Sequence, residues 1–118
     1  MTTDLKLYIA VLDEVPSFMV PTLVAHAVLG AHVEFSQIYH ETQGLYLFHK
    51  CAYDVWFKRS FKKVVLKVNR KEFDKIKSIP YTYLAHENKT LNAEKSCAVV
   101  CPRDEYPNVI KFAKMWQP

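Results

Sequence analysis

A lysine set into an apolar strand is the first pattern that suggests chemistry. In Lys63-Val64-Val65-Leu66-Lys67-Val68, strand alternation sends Val64, Leu66 and Val68 to one face and Lys63, Val65 and Lys67 to the other. Lys67 is then a rigidly held cation, suited to a phosphate or an oxyanion. The plainer reading is an edge-strand lysine that blunts aggregation. A second candidate is the segment His86 to Ser96, dense in hydrogen-bonding groups between two apolar strands. Such loops often handle substrate, although a solvated connection has the same composition. His26 sits among Val24, Ala25, Ala27 and Val28, where it is either a general base or a core histidine bonded to nearby backbone. The apolar flank favours the core reading.

Other chemistries lack their residues. His26, His32, His40, His49 and His86 form no i, i+4 pair, and no His-Glu-x-x-His occurs, so no metal site is expected. Only 2 glycines occur, which excludes a Gly-rich phosphate loop, and no cofactor is expected. Cys51, Cys97 and Cys101 are odd in number and lie in apolar company, so they read as buried reduced thiols. The start Met1-Thr2-Thr3-Asp4 has no basic region before its apolar stretch. No apolar run reads as long enough to cross a bilayer. These features give a cytoplasmic expectation, with no membrane partner.

The net charge of +4 is unevenly spread. Residues 58–77 hold nine of the 16 basic residues against Glu72 and Asp74 alone, a local +7, and the remaining chain carries −3. Such a block suggests a polyanionic partner, with Lys58, Arg59, Lys62, Lys63, Arg70 and Lys71 touching it. The alternative is a lysine run that only keeps a small domain soluble.

The elements that must position these residues alternate. At 118 residues, 50% of them hydrophobic, the chain makes one domain, 1–118, with a real core. Leu5–Leu12 reads as a strand buried on both faces, followed by a loop with Asp13, Glu14 and Pro16. Val20 to Ile38 has helical spacing, with Pro21 in the first turn. A second helix is expected over 48–60, a strand over 63–68 and a short charged helix over 70–77. Strands starting at Pro80 and Ser96, then a helix over 106–114, complete the chain. The order implies an α/β fold, a three-layer sandwich with helices on both faces of a mixed four-stranded sheet. The first strand should be central, and the first two strands parallel. The last two are joined by a loop, which permits an antiparallel pair or a longer crossover.

Three blocks together resemble the type II peptidyl-tRNA hydrolases of archaea and eukaryotes. The first is strand Leu5–Leu12, an acidic loop, and Ala25-His26-Ala27-Val28-Leu29-Gly30-Ala31 on the helix. The second is Lys63-Val64-Val65-Leu66-Lys67-Val68. The third is Pro80–Leu84, the polar loop, and Ser96–Pro102. In order and spacing the resemblance covers most of the chain. The family's Gly-Lys-Gly-Lys turn falls on Pro16, Ser17, Phe18 and Met19, so both of its lysines are missing. Its Arg-Asp becomes His86-Glu87, its Thr stays as Thr90, and its Gly-Thr becomes Lys95-Ser96.

The resemblance implies hydrolysis of the ester joining a peptide to the tRNA 3′ end. Lys67 would stabilise the oxyanion, and Glu87 or Asp13, with Thr90 and Ser96, would orient water. The implied partners are tRNA or peptidyl-tRNA and, by the family's habit, a second copy in a homodimer. The competing expectation is a catalytically impaired homologue acting as an RNA- or protein-binding module, since folds outlive their chemistry. A weaker third is an esterase or amidase acting on a small acyl compound.

Overall fold

The computed structural model describes residues 5–42, 52–86 and 94–117. Strand β1 (Lys6–Leu12) leads through a 3-10 turn at Ser17–Met19 into helix α1 (Val20–Thr42). A short α2 (Tyr53–Val55) runs into one π-helical turn, Trp56–Ser60, and then β2 (Lys62–Val68). Helix α3 (Arg70–Lys77), β3 (Thr82–His86), β4 (Lys95–Val100), α4 (Asn108–Lys111) and β5 (Lys114–Met115) follow.

The protein is a mixed α/β fold around one five-stranded sheet of order β3-β4-β1-β2-β5. β1 is central, parallel to β2 and antiparallel to β4. Leu7, Ile9 and Val11 alternate with Ala10 and Leu12, and all are buried, which is what a strand covered on both faces requires. β3 and β4 form an antiparallel pair, the first of the two arrangements expected.

Local signals explain most element boundaries. Asn69 caps α3 through a capping box: its Oδ1 accepts from the Glu72 N–H and its own N–H donates to Glu72 Oε1, both at 2.8 Å. Phe73 and Ile76, three apart, bury the helix's apolar stripe. On α1 the stripe is Leu23, Ala27, Ala31 and Phe35, all buried. The helix approaches β3 so closely that a Cβ on Gly30 would fall on the outer end of the Tyr83 ring, which would have to move to admit it.

Several expectations change. The sheet has five strands where four were expected, because the chain beyond Lys111 does not stay helical. The 106–114 helix shrinks to Asn108–Lys111, and Lys114–Met115 pairs with Leu66 and Lys67 while the Trp116 N–H donates to the Val65 carbonyl at 2.8 Å. This pairing satisfies the outer edge of β2, which the helix would have left open. β3 begins at Thr82, two residues after Pro80, because Tyr81 turns the chain at φ 58°. The described part of the second helix is a short α-helix and a π turn, and 48–51 lie outside the described residues.

His26 is exposed, so it is not the core histidine expected; its helix turns Ala27, not His26, toward the sheet. Ser17–Ile38, at 22 residues, is long and apolar enough by length and composition to cross a membrane, contrary to expectation. Here its inner stripe packs on the sheet, while Leu29 and Val33 remain exposed. Cys101 is disulfide-bonded, against the expectation of reduced thiols. Cys97 is free and buried, and burial pushes its thiol up to about 12. Cys51 lies outside the described residues.

Two measurements check this core. Phe73→Ala should lower the free energy of urea unfolding by about 3–5 kcal/mol, the range for emptying a buried aromatic site. In mass-spectrometric alkylation without reductant, Cys97 should stay unmodified in the native protein at neutral pH and react on denaturation, whereas Cys101 should react only after reduction.

Candidate functional site

Three segments meet where β1 and β2 end. The Asp13 N–H donates to the Val68 carbonyl at 2.8 Å and ties the loop after β1 to the end of β2. One residue past the Asn69 cap, Arg70 grips Glu14 with both prongs of its fork, Nε to Oε2 at 2.9 Å and Nη2 to Oε1 at 2.6 Å. Its remaining nitrogen, Nη1, donates to Glu94, directly before β4. Bidentate guanidinium–carboxylate geometry is the strong form of such a pair. Arg70 holds the Glu14 carboxyl below the usual carboxylate range, and the two carboxylates raise the guanidinium further above its own. All three side chains are more than one-third exposed, so solvent screens the pairing and its value is positional.

The sequence-predicted site residues do not all gather here. Asp13 is exposed at this end. Lys67 lies one pair before the end of β2, in register with Val11, on the sheet face that also carries Val65. Its Nζ sits 5.3 Å from the Trp116 ring centroid, and it lines a groove of ≈ 370 Å³ with Lys114, Met115 and Gln117. Ser96 belongs to the other face, with Ala98 and Val100, at a register shift opposite Ala85 and His86. It is fully buried and its Oγ has no hydrogen-bond partner among the described residues. Lys67 and Ser96 are therefore separated by the sheet. Glu87 and Thr90 lie outside the described residues. Among the described residues, no group of three or more His, Cys, Asp or Glu could hold a metal.

The basic block also divides. Lys58, Arg59, Lys62 and Lys63 are exposed around the start of β2, whereas Arg70 and Lys71 follow its end. The strand residues Val64–Val68 and then Asn69 lie between the groups, a separation of roughly 20 Å at the usual rise. Arg70 is committed to two carboxylates, and Lys58 pairs with Asp54 at 3.3 Å. The group at the start of β2 has an aromatic companion that charge counting missed. Phe57 and Phe61 are 45% and 51% exposed. Phe61, at φ 56°, adopts a left-handed conformation unusual for a bulky residue. Its N–H closes the π turn on the Trp56 carbonyl at 2.8 Å, and its ring stacks on Trp56 at 5.2 Å. Lys63 Nζ lies 3.3 Å from the Phe61 centroid and donates to the Phe61 carbonyl at 2.7 Å. The sequence signal was present in the alternation of aromatic and basic residues from Trp56 to Lys63.

Compared with known proteins, the chain matches no family model and no curated sequence.

The Arg70 junction makes a pH prediction. A carboxylate whose folded pKa is depressed adds stability that is present above its unfolded pKa and is lost as pH falls through the folded value. Arg70→Met should therefore destabilise the protein at neutral pH. In chemical denaturation the gap to the natural protein should narrow below about pH 4.5, the ordinary value for Glu14, as the carboxylate takes up its proton.

Proposed function

We propose that this chain is a peptidyl-tRNA hydrolase-like protein that binds tRNA, with its helices layered on both sheet faces. The observation that carries the reading is the face at the start of β2, where Lys58, Arg59, Lys62 and Lys63 interleave with exposed Phe57 and Phe61. Cations neutralise phosphates and release counterions, while exposed rings stack on unpaired bases. A polynucleotide with an unpaired end, as tRNA has, uses both the cations and the exposed rings. A cytoplasmic location goes with that ligand.

Ester hydrolysis is the second reading, favoured by the junction that Arg70 holds together around Asp13. The sealed Ser96 weighs against it as a water-orienting group. In the turn that lacks the family's lysines, Met19 packs against the core and Phe18 is 81% exposed. A restored loop cation therefore belongs at position 18, not 19.

Filter binding with tRNA should show affinity falling steeply with salt. Lys62→Glu with Lys63→Glu should weaken binding and flatten that slope by about one unit for each phosphate no longer neutralised. Phe61→Gly suits the positive φ and should weaken binding of single-stranded RNA about tenfold, the value of one stacked base. Unchanged binding in both variants would refute the tRNA face. Release of acid from N-blocked aminoacyl-tRNA, faster in Phe18→Lys and abolished in Asp13→Asn, would establish the hydrolase reading. No release from any of the three, with tRNA still bound, would leave the binding module.

A further inference from the structure

Arg103 is an interior cation without a counter-ion among the described residues. It is 6% exposed. Its Nε donates to the Cys101 carbonyl at 3.0 Å, and Nη2 donates to the Pro80 carbonyl at 2.6 Å and the Tyr81 carbonyl at 3.4 Å. Its own N–H donates to Tyr106 Oη at 3.2 Å, and Tyr106 Oη donates in turn to the Lys6 carbonyl at 2.5 Å. These bonds latch the bend before β3 and the start of β1. None of them engages Nη1, and no carboxylate pairs with the guanidinium among the described residues. Neutral carbonyls orient a guanidinium but do not cancel its charge, and a buried charge normally has an ionic partner. Burial does pull its pKa down, yet an arginine stays protonated at neutral pH.

The same residue lines a groove of ≈ 480 Å³ between the end of α3 and the start of α4, with Lys75, Ser78, Pro80, Pro107 and Val109. Lys75 is exposed and makes no ion pair among the described residues, while the nearby Lys77 is taken by Asp74 at 3.2 Å. Two cations, one fixed and one adjustable, thus share a concave site with no acid in its lining. The Ser78 hydroxyl, which donates to the Lys75 carbonyl at 2.8 Å, closes that side.

We propose that this groove is an oxyanion site for a phosphate monoester, held by Arg103 Nη1 and by Lys75. A dianion matches the two charges, and phosphate oxygens suit the remaining guanidinium nitrogen. The site lies at the end of the sheet away from the Arg70 junction, on different residues from the face proposed for tRNA. It stands whether or not that reading does.

The test is an amide NMR titration of the 118-residue chain at constant ionic strength. Inorganic phosphate, a 5′-nucleoside monophosphate and a single-stranded RNA without terminal phosphate are compared with chloride. Saturable shifts over residues 75–80 and 103–109 are expected with both monoester-type probes. Lys75→Met, an exposed change that leaves the fold intact, should raise Kd about tenfold, the value of one charge-assisted hydrogen bond. Arg103→Lys, if folded by its amide spectrum, should weaken binding further, since a single ammonium cannot keep the carbonyl bonds and also present a nitrogen to the anion. The absence of saturable shifts with either monoester-type probe would overturn the site. So would an unchanged Kd in Lys75→Met. Saturation by the diester RNA alone would overturn the monoester assignment.

Discussion

The pairing of β1 on both of its edges is the constraint on which the other features depend. Its parallel ladder with β2 forces the intervening chain to cross over the sheet and return to the same end. Its antiparallel ladder with β4 brings the chain back past β3. Because Leu7, Ile9, Val11, Ala10 and Leu12 are buried on both faces, a one-residue slip would exchange the two buried sets of the central strand. The register is thereby fixed, and with it the positions of the segments that follow each strand. The loop after β1, the first turn of α3 and the residue before β4 meet at one end because these three strands share that register.

Charge is arranged differently at the two ends of this frame. At the ends of β1 and β2, Arg70 is shared by Glu14 and Glu94 and fastens three segments in solvent. At the start of β2, exposed cations lie beside open phenyl rings, and Lys63 rests over one of them. Beyond β4, Arg103 is buried among carbonyls and keeps its formal charge. Arginine serves as a clamp in the first setting and as an uncancelled interior charge in the last. The difference is whether carboxylates fall within reach of the fork.

The aromatic cluster explains how the basic face is held open. Tyr53 and Trp56 are buried, their rings tilted by 40° with centroids 5.2 Å apart, and Phe57 and Phe61 lean on them from outside. His32 Nδ1 lies 2.9 Å from Tyr53 Oη and joins this cluster to α1, while Trp56 Nε1 donates to the Lys62 carbonyl at 2.7 Å and joins it to β2. The rings that remain exposed are thus supported by rings that are not. That support offsets the unfavourable left-handed backbone at Phe61.

The sequence by itself determined the elements whose signals are local. Alternation and continuous apolarity marked β1 and β2, and the 3.6-residue period marked α1. The central place of β1 followed from its two apolar faces, because only an inner strand can bury both. Tertiary structure decided whatever depended on partners distant in the chain. The strand at Lys114–Met115 exists because the outer edge of β2 needed hydrogen bonds, a demand no local pattern records. His26 is exposed although its neighbours are apolar, because α1 has one stripe on the sheet and position 26 falls outside it. The basic run of 58–77 is continuous in sequence and split in space, because a strand carries its two ends roughly 20 Å apart. Lys67 and Ser96 were grouped by resemblance and are parted by the sheet, since strand alternation and pairing register together choose the face. In the sequence Arg103 is one of sixteen basic residues; only the fold supplies the carbonyls that surround it.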